Sequence, residues 1–340
     1  NYGYALATGV TIAGVLQLLW LICHTRRAGM PLGILAPWTV VKRKTAELSL
    51  LLKRIIPGVF GSGIYQINLF LDTLFLSFLT TGAVSWLYYA NRLYQLPVGI
   101  IGAAIGTALL PILTRDLKSG NAEQAKNTLN QALIIALALS VPSAAGLIAL
   151  DYPIISVLFE RGEFTNTASV KTALALSAYA VGLPAYILTK ALAPVFYARG
   201  DTATPVRIAC WALLMYVILC AAFLPSIGYL GIALASGIVA WLNVVQYAWR
   251  IKKQRFHSLD TPFVRRALSI VLSSVIMGVA TRACFVASLR LFPDWLHGGQ
   301  VLRFGLLGAL IGIGGVLFAV LVLATKGVTI AQIKALRRRK

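Results

Sequence analysis

The chain has 340 residues, 59% of them hydrophobic and only 12% charged, with a mean hydropathy of +0.81 and a formal net charge of +21. A soluble domain is usually about 45–50% apolar and about 25% charged, so a water-soluble globule is excluded and lipid is the solvent for most of this surface. The charge does not point to nucleic acid either, because the basic residues sit in short segments between long apolar runs, where membrane proteins carry them.

A helix needs about 20 apolar residues to cross the hydrocarbon core. The chain begins at Asn1 with no Met, charged n-region or cleavage site and enters an apolar run within a few residues, so it reads as a piece of a longer protein. Runs of spanning length lie at 4–23, 57–79, 83–110, 129–150, 170–197, 206–224, 228–249, 264–291 and 301–324. These predict an all-α polytopic membrane protein with about nine transmembrane helices. The segment 36–56, with Trp38 and several basic residues, reads as an amphipathic interfacial helix instead. Pro97, Pro111, Pro142, Pro184 and Pro194 fall in or at the ends of spans and predict kinks. Trp86, Tyr88, Tyr89 and Trp249 fit interfacial aromatic belts, and the Gly102-xxx-Gly106 and Gly308-xxx-Gly312 patterns permit close helix packing.

Alternate loops are basic. Arg26, Arg27, Lys42, Arg43, Lys44, Lys53 and Arg54 follow the first span, and Arg115, Lys118 and Lys126 the third. Arg199 and Arg207 follow the fifth, and Arg250, Lys252, Lys253, Arg255, Arg265 and Arg266 the seventh. The tail adds Lys326, Lys334, Arg337, Arg338, Arg339 and Lys340, whereas the opposite side holds only Arg161, Lys171, Arg290 and Arg303. Positive residues stay on the cytoplasmic side, so the first residue is expected outside and the C-terminus in the cytoplasm.

Four cysteines (Cys23, Cys210, Cys220, Cys284) lie in or at the ends of apolar runs without metal spacing, and read as small packing residues. Paired membrane carboxylates, a membrane histidine, Gly-x-Ser-x-Gly and a phosphate-cradling loop are all missing from the sequence, so the general base or metal site that a membrane enzyme needs cannot be assembled, and an enzyme is not expected. What remains are charges at membrane depth, which are costly and usually face a cavity or a partner. Asp72 shares a helical face with Gly61, Tyr65 and Asn68, which reads either as a polar face bonded to neighbouring helices or as a cation or proton site. Arg92 sits about 13 Å into its span at 1.5 Å per residue, on a face with Tyr88, Gln95 and Gly99. It reads either as snorkelling to the outer interface, a long reach, or as facing a cavity, where its guanidinium suits bidentate phosphate binding. Lys190 lies one turn below Tyr186 within reach of the cytoplasmic interface, and Arg282 lies near an outer span end, so both are read chiefly as snorkelling residues.

The strings QINLFLDTLFLSFL and VSWLYYANRLYQLPVGIIGAAIGTALLP, followed by VLFERGEFT and ALAPVFYARGDTATPV, cover Gln66 to Val206 in order. Together they resemble the MurJ/MviN family, the bacterial lipid II flippases of the multidrug/oligosaccharidyl-lipid/polysaccharide exporter superfamily. The resemblance implies a two-lobe fold around a central cavity. By it, 1–23 is the last helix of the N-terminal lobe, 24–56 a cytoplasmic linker with the amphipathic helix, and 57–249 the C-terminal six-helix lobe. It further makes 250–263 a basic cytoplasmic loop, 264–324 two extra helices shaping a groove for a lipid tail, and 325–340 a basic cytoplasmic tail.

The resemblance places Arg92 at the position of a cavity arginine that engages the substrate diphosphate, with Tyr88, Asn91 and Gln95 beside it, and Asp72, Asn68 and Lys190 as ion-binding or cavity polar residues. Many members carry Asp-Arg where this chain has Asn91-Arg92. Sodium-binding members also draw ligands from the helix matching the sixth span, where CWALLMYVILCAAFL offers no Asn or Asp. A complete sodium site is therefore not expected, and no cofactor is; coupling to the membrane potential is the alternative. The implied partners are lipid II and membrane lipids, in the bacterial cytoplasmic membrane. A monomer is expected, in association with cell-wall synthesis proteins at most. Rival readings are an exporter of drugs or O-antigen lipid carriers, against which the Tyr-Tyr-Ala-Asn-Arg-Leu string stands, a membrane transferase, and a cell-wall scaffold.

The alternation of basic loops gives a topology test. Cysteines placed at Ser119 and Ser258 are expected to be shielded from an impermeant thiol reagent in intact cells, and one at Asn166 to be labelled. Labelling at Ser258 from outside would reverse the orientation.

Overall fold

The structure, a computed structural model, describes residues 2–29, 66–67, 70–253, 261–293, 295–296, 298–325 and 327. Among them the fold is helical, with no strand. The chain divides into two compact units, Asn1–Ile56 and Pro57–Lys340.

In the first unit, α1 spans Tyr2–Arg27 and ends on His24, Arg26 and Arg27, cations that suit the negative end of the helix dipole. From Ala7 to Leu21 its apolar side chains are exposed, and Trp20 stacks on His24 at 4.4 Å. The expected interfacial helix at 36–56 lies outside the described residues.

The second unit holds α2 (Ala83–Lys118), α3 (Ala122–Ala149), α4 (Asp151–Phe159), α5 (Asn166–Tyr197), α6 (Ala203–Ile227), α7 (Tyr229–Lys253), α8 (Thr261–Leu291) and α9 (Gln300–Ala324). Eight helices of the described residues, α1 included and α4 excepted, are long and apolar enough to cross a membrane. The ninth expected span, 57–79, is described only in part, with residues 70–77 helical. The helices run through Pro97, Pro111, Pro142, Pro184 and Pro194 without interruption, as membrane helices do where neighbours satisfy the freed carbonyls.

Several boundaries differ from the sequence reading, with α3 starting at Ala122 and not 129. The α2 helix continues past the apolar run to Lys118, because Arg115 and Lys118 complement its C-terminal dipole and need no membrane around them. Residues 151–159, expected as part of an outer loop, form the short helix α4. Nine residues are too few to span, so a length criterion overlooks an apolar helix of this kind. The turn between α5 and α6 is closed by Asp201, whose carboxylate accepts the Thr204 N–H at 2.9 Å. Slight burial would raise its pKa, but the Thr204 hydroxyl and N–H, the Ala203 N–H and the charge of Arg207 outweigh it and hold the carboxyl below the ordinary range.

The α5 helix is the centre of this unit. It packs against α2, α3, α4 and α7, while α6 leans on α7, and α8 lies along α3 with α9 beside it. Lipid offers no hydrophobic drive between helices, so close approach through small residues sets the packing. A Cβ on Gly182 of α5 would lie 2.6 Å from the Gly237 Cα of α7. At Gly102 of α2 it would meet the Lys190 Cδ at 2.6 Å, so the first small-residue pattern does serve a helix contact. The second does not. A Cβ at Gly308 or Gly312 would meet nothing within 4 Å, since α9 turns Gly314 toward Thr281 of α8 instead. Trp86 is also not a lipid-facing belt residue: it is buried between Tyr229 and the Lys171 ammonium, whereas Trp249 is exposed as expected.

Arg282, expected to snorkel, bridges three helices. It pairs with Asp151 of α4 at 3.2 Å and donates to the Ala149 carbonyl of α3 at 3.1 Å, and Asp151 also accepts from Ser177 of α5 at 2.8 Å. Arg303 of α9 donates to the Ser156 carbonyl of α4 at 2.6 Å.

The glycine contact between α5 and α7 generates a stability test. Gly182→Ala forces backbone apart and is expected to cost about 1–3 kcal/mol, read as a lower melting temperature in detergent. Gly312→Ala enters open space and should leave the melting temperature unchanged. An unchanged value for Gly182→Ala would show that the two helices are not held at this crossing.

Candidate functional site

The residues Tyr88, Asn91, Arg92 and Gln95 lie on consecutive turns of α2, so spacings of three and four bring their side chains together. Arg92 Nη2 donates to Tyr88 Oη at 3.1 Å, and its Cζ lies 4.9 Å from the centre of the Tyr88 ring. Gln95 Nε2 donates to Asn91 Oδ1 at 2.9 Å. Arg92, Tyr88 and Gln95 are exposed, and among the described residues no carboxylate pairs with the guanidinium. A guanidinium has five N–H donors in a planar fork; the Tyr88 contact fixes its orientation and leaves donors for a second group. Such a fork matches two oxygens of a phosphate.

Lys190 reaches this helix from α5, its side chain lying over Gly102, ten residues along α2 from Arg92. That spacing corresponds to about 15 Å, so the two cations flank the same helix without touching. Lys190 remains exposed.

Asp72 is half-buried and accepts a hydrogen bond from the Tyr216 hydroxyl of α6. Phe75, one turn on, meets the Tyr216 ring edge-on at 6.5 Å. Cys220, buried one turn beyond Tyr216, adjoins the same hydroxyl, and Tyr179 and Tyr186 of α5 lie within electrostatic reach of the carboxylate. Tyr94 of α2 stacks on Tyr179 at 5.5 Å and meets Tyr186 at 5.7 Å. Asn68 lies outside the described residues.

Sequence reasoning missed Tyr216, Cys220 and the contact of Tyr94 with Tyr179 and Tyr186. It searched the sixth span for Asn and Asp, the usual oxygen donors, and passed over a phenol in MYVILC. The available signal was the four-residue spacing of Tyr216 and Cys220, which puts two polar atoms on one face of an otherwise apolar helix. Among the described residues, one Asp72 carboxylate oxygen takes the Tyr216 phenol proton, and the other neighbours are the Cys220 thiol and the tyrosines of α5. Among the described residues no cluster of His, Cys, Asp and Glu suits a metal.

The comparisons with known proteins agree on one family. The family model described as Lipid II flippase MurJ matches residues 1–300. The protein of Rhizobium meliloti (strain 1021) called probable lipid II flippase MurJ is 37% identical over 86% of this chain and 52% of its own length. A solved structure of "Lipid II flippase MurJ, inward closed conformation" superposes with a TM-score of 0.64 at 29% identity, covering 82% of this chain and 55% of that one. A multidrug resistance MATE family transporter of the MOP superfamily, in an outward-facing conformation, matches at 16% identity with a TM-score of 0.51 over 80% of this chain and 63% of its own, a likeness of fold alone. The chain spans 52% to 61% of the length of curated relatives that it matches. It is a multi-pass membrane protein, and it belongs to the MurJ family of lipid II flippases.

Proposed function

We propose that this chain supplies the C-terminal lobe and two accessory helices of a lipid II flippase. The whole protein moves the undecaprenyl-diphosphate-linked disaccharide-pentapeptide from the cytoplasmic to the outer leaflet by alternating access, and no bond is made or broken. The observation that carries the reading is Arg92, a guanidinium well inside an apolar helix, oriented by Tyr88 and with donors to spare. The diphosphate would occupy that fork, with Asn91 and Gln95 offering amides beside it.

An apolar pocket of about 430 Å³ supports the same reading. It lies between α3, α8 and α9, with Pro142, Met277, Leu310 and Phe318 among its walls. This is the chemistry an isoprenoid tail needs while its head crosses. In this reading the C-terminus faces the cytoplasm, the working unit is a monomer, and Asp72 is a cavity polar group tuned by Tyr216, not a sodium ligand. The cations of the cavity favour coupling to the membrane potential, which supplies about 2.3 kcal/mol for each charge crossing 100 mV.

In the full-length protein, Arg92→Ala is expected to abolish rescue of a flippase-depletion strain while leaving its abundance in membrane fractions near normal. Arg92→Lys should rescue in part, since an ammonium lacks the planar fork, and Lys190→Ala should be milder. Full rescue by Arg92→Ala would sink the substrate role, and loss of the protein from the membrane would make the residue structural.

Tyr216→Phe leaves the Asp72 carboxylate without its donor and should cost about 1–3 kcal/mol of stability. The cost should shrink in an Asp72→Asn background. Equal losses in both backgrounds, read by thermal melting, would show that the two side chains are not coupled.

A further inference from the structure

A second pocket takes no part in the translocation reading. Where α2 and α5 begin, at the end of the unit opposite the basic last turns of α2 and α7, lies a hollow of about 620 Å³. That is within the roughly 300–1,000 Å³ typical of small-ligand sites.

Its floor is aromatic. The Tyr89 ring stands 4.8 Å from Phe159 and 5.3 Å from Phe164, the latter at 90°. Beside them Trp86 is held edge-on by Tyr229 at 5.3 Å, with the Lys171 ammonium 4.2 Å from its ring centre. These rings come from α2, α4 and the 160–165 turn, so elements that are themselves packed on α5 fix the floor.

Its rim is charged. Arg161 and Glu163 flank Gly162, whose φ of +58° turns the chain sharply, and the Phe164 N–H closes the turn on the Arg161 carbonyl at 3.1 Å. Both side chains are exposed, and among the described residues neither makes a hydrogen bond or an ion pair.

These features narrow the ligand. A purely apolar ligand would have no use for two charges at the mouth. A quaternary amine would suit the rings but meet Arg161 and Lys171, and a bare phosphate would meet Glu163. Guanidinium only donates and carboxylate only accepts, so the pair matches groups that do both. A pyranose is such a ligand, since its apolar face lies on aromatic rings while its hydroxyls accept from one rim residue and donate to the other.

We propose that this hollow is a saccharide subsite that receives the disaccharide of the translocated head group on the outer face. The identity of the occupant rests on the flippase reading above, but the chemistry of the pocket does not.

The test uses the full-length protein in lipid nanodiscs and saturation-transfer NMR with the soluble N-acetylglucosaminyl-N-acetylmuramic acid disaccharide, free of lipid and diphosphate. Saturation should pass to its ring and acetamido protons and fall at least fivefold in Arg161→Ala, Glu163→Gln and Phe164→Leu. The first two alter exposed turn residues, so the fold is not at risk. Transfer absent in the unaltered protein, unchanged in all three variants, or matched by tetramethylammonium would overturn the subsite. Binding of lipid II to the same nanodiscs separates the two claims. If lipid II binds and the disaccharide does not, the subsite falls and the flippase reading stands. If the disaccharide binds with the expected losses and lipid II does not, the subsite stands and the flippase reading falls.

Discussion

Where α5 crosses α7, Gly182 and Gly237 stand so close that no side-chain carbon fits between the two backbones. In a lipid solvent that closeness is the source of cohesion, because dispersion contacts and interhelical hydrogen bonds replace a hydrophobic drive that lipid does not provide. The approach lets the Trp241 indole reach the Val181 carbonyl at 3.1 Å. With α5 held on this side by α7, its other faces pack on α2, α3 and α4, so Tyr179 and Tyr186 meet Tyr94 of α2 and the Lys190 stem lies over Gly102.

Much of this was legible from the chain. Apolar runs of spanning length marked α1, α2, α3 and α5 to α9, with α2 ending eight residues later and α3 starting seven residues earlier than read, because lipid imposes a minimum length that sequence displays directly. The same criterion hid α4, which is apolar but short and is covered by α5 and α9 instead of crossing anything. The small-residue patterns were half informative. Gly102 meets Lys190, but Gly312 meets nothing, and the pair that matters most, Gly182 and Gly237, lies on two helices far apart in sequence. A spacing rule within one helix cannot report a contact between two.

The polar groups divide in the same manner. Tyr88, Asn91, Arg92 and Gln95 interact within one helix, so helical periodicity alone brought them together. Asp72 finds its donor 144 residues away. Its partner is a tyrosine, whose ring reads as apolar in any hydropathy scan while its hydroxyl acts as a donor. Trp86 is misread for the converse reason, since an interfacial position in sequence says nothing about whether a neighbouring helix covers the ring.

The carboxylate of Asp151 serves two masters. One oxygen holds Arg282 of α8 and the other holds Ser177 of α5, while Arg303 of α9 grips the same short helix a turn further on. At the opposite end of the accessory pair, Ser269 of α8 donates to Thr325, just past α9, at 2.6 Å. Sliding α8 against α5 near Asp151 would strand a carboxylate beside apolar side chains, and a bond to an ionised group left without its partner is the costly kind to break. The α5 helix, the short α4 and the accessory pair are thereby clamped at one end, so that no one of them can be displaced there without breaking a hydrogen bond held by another.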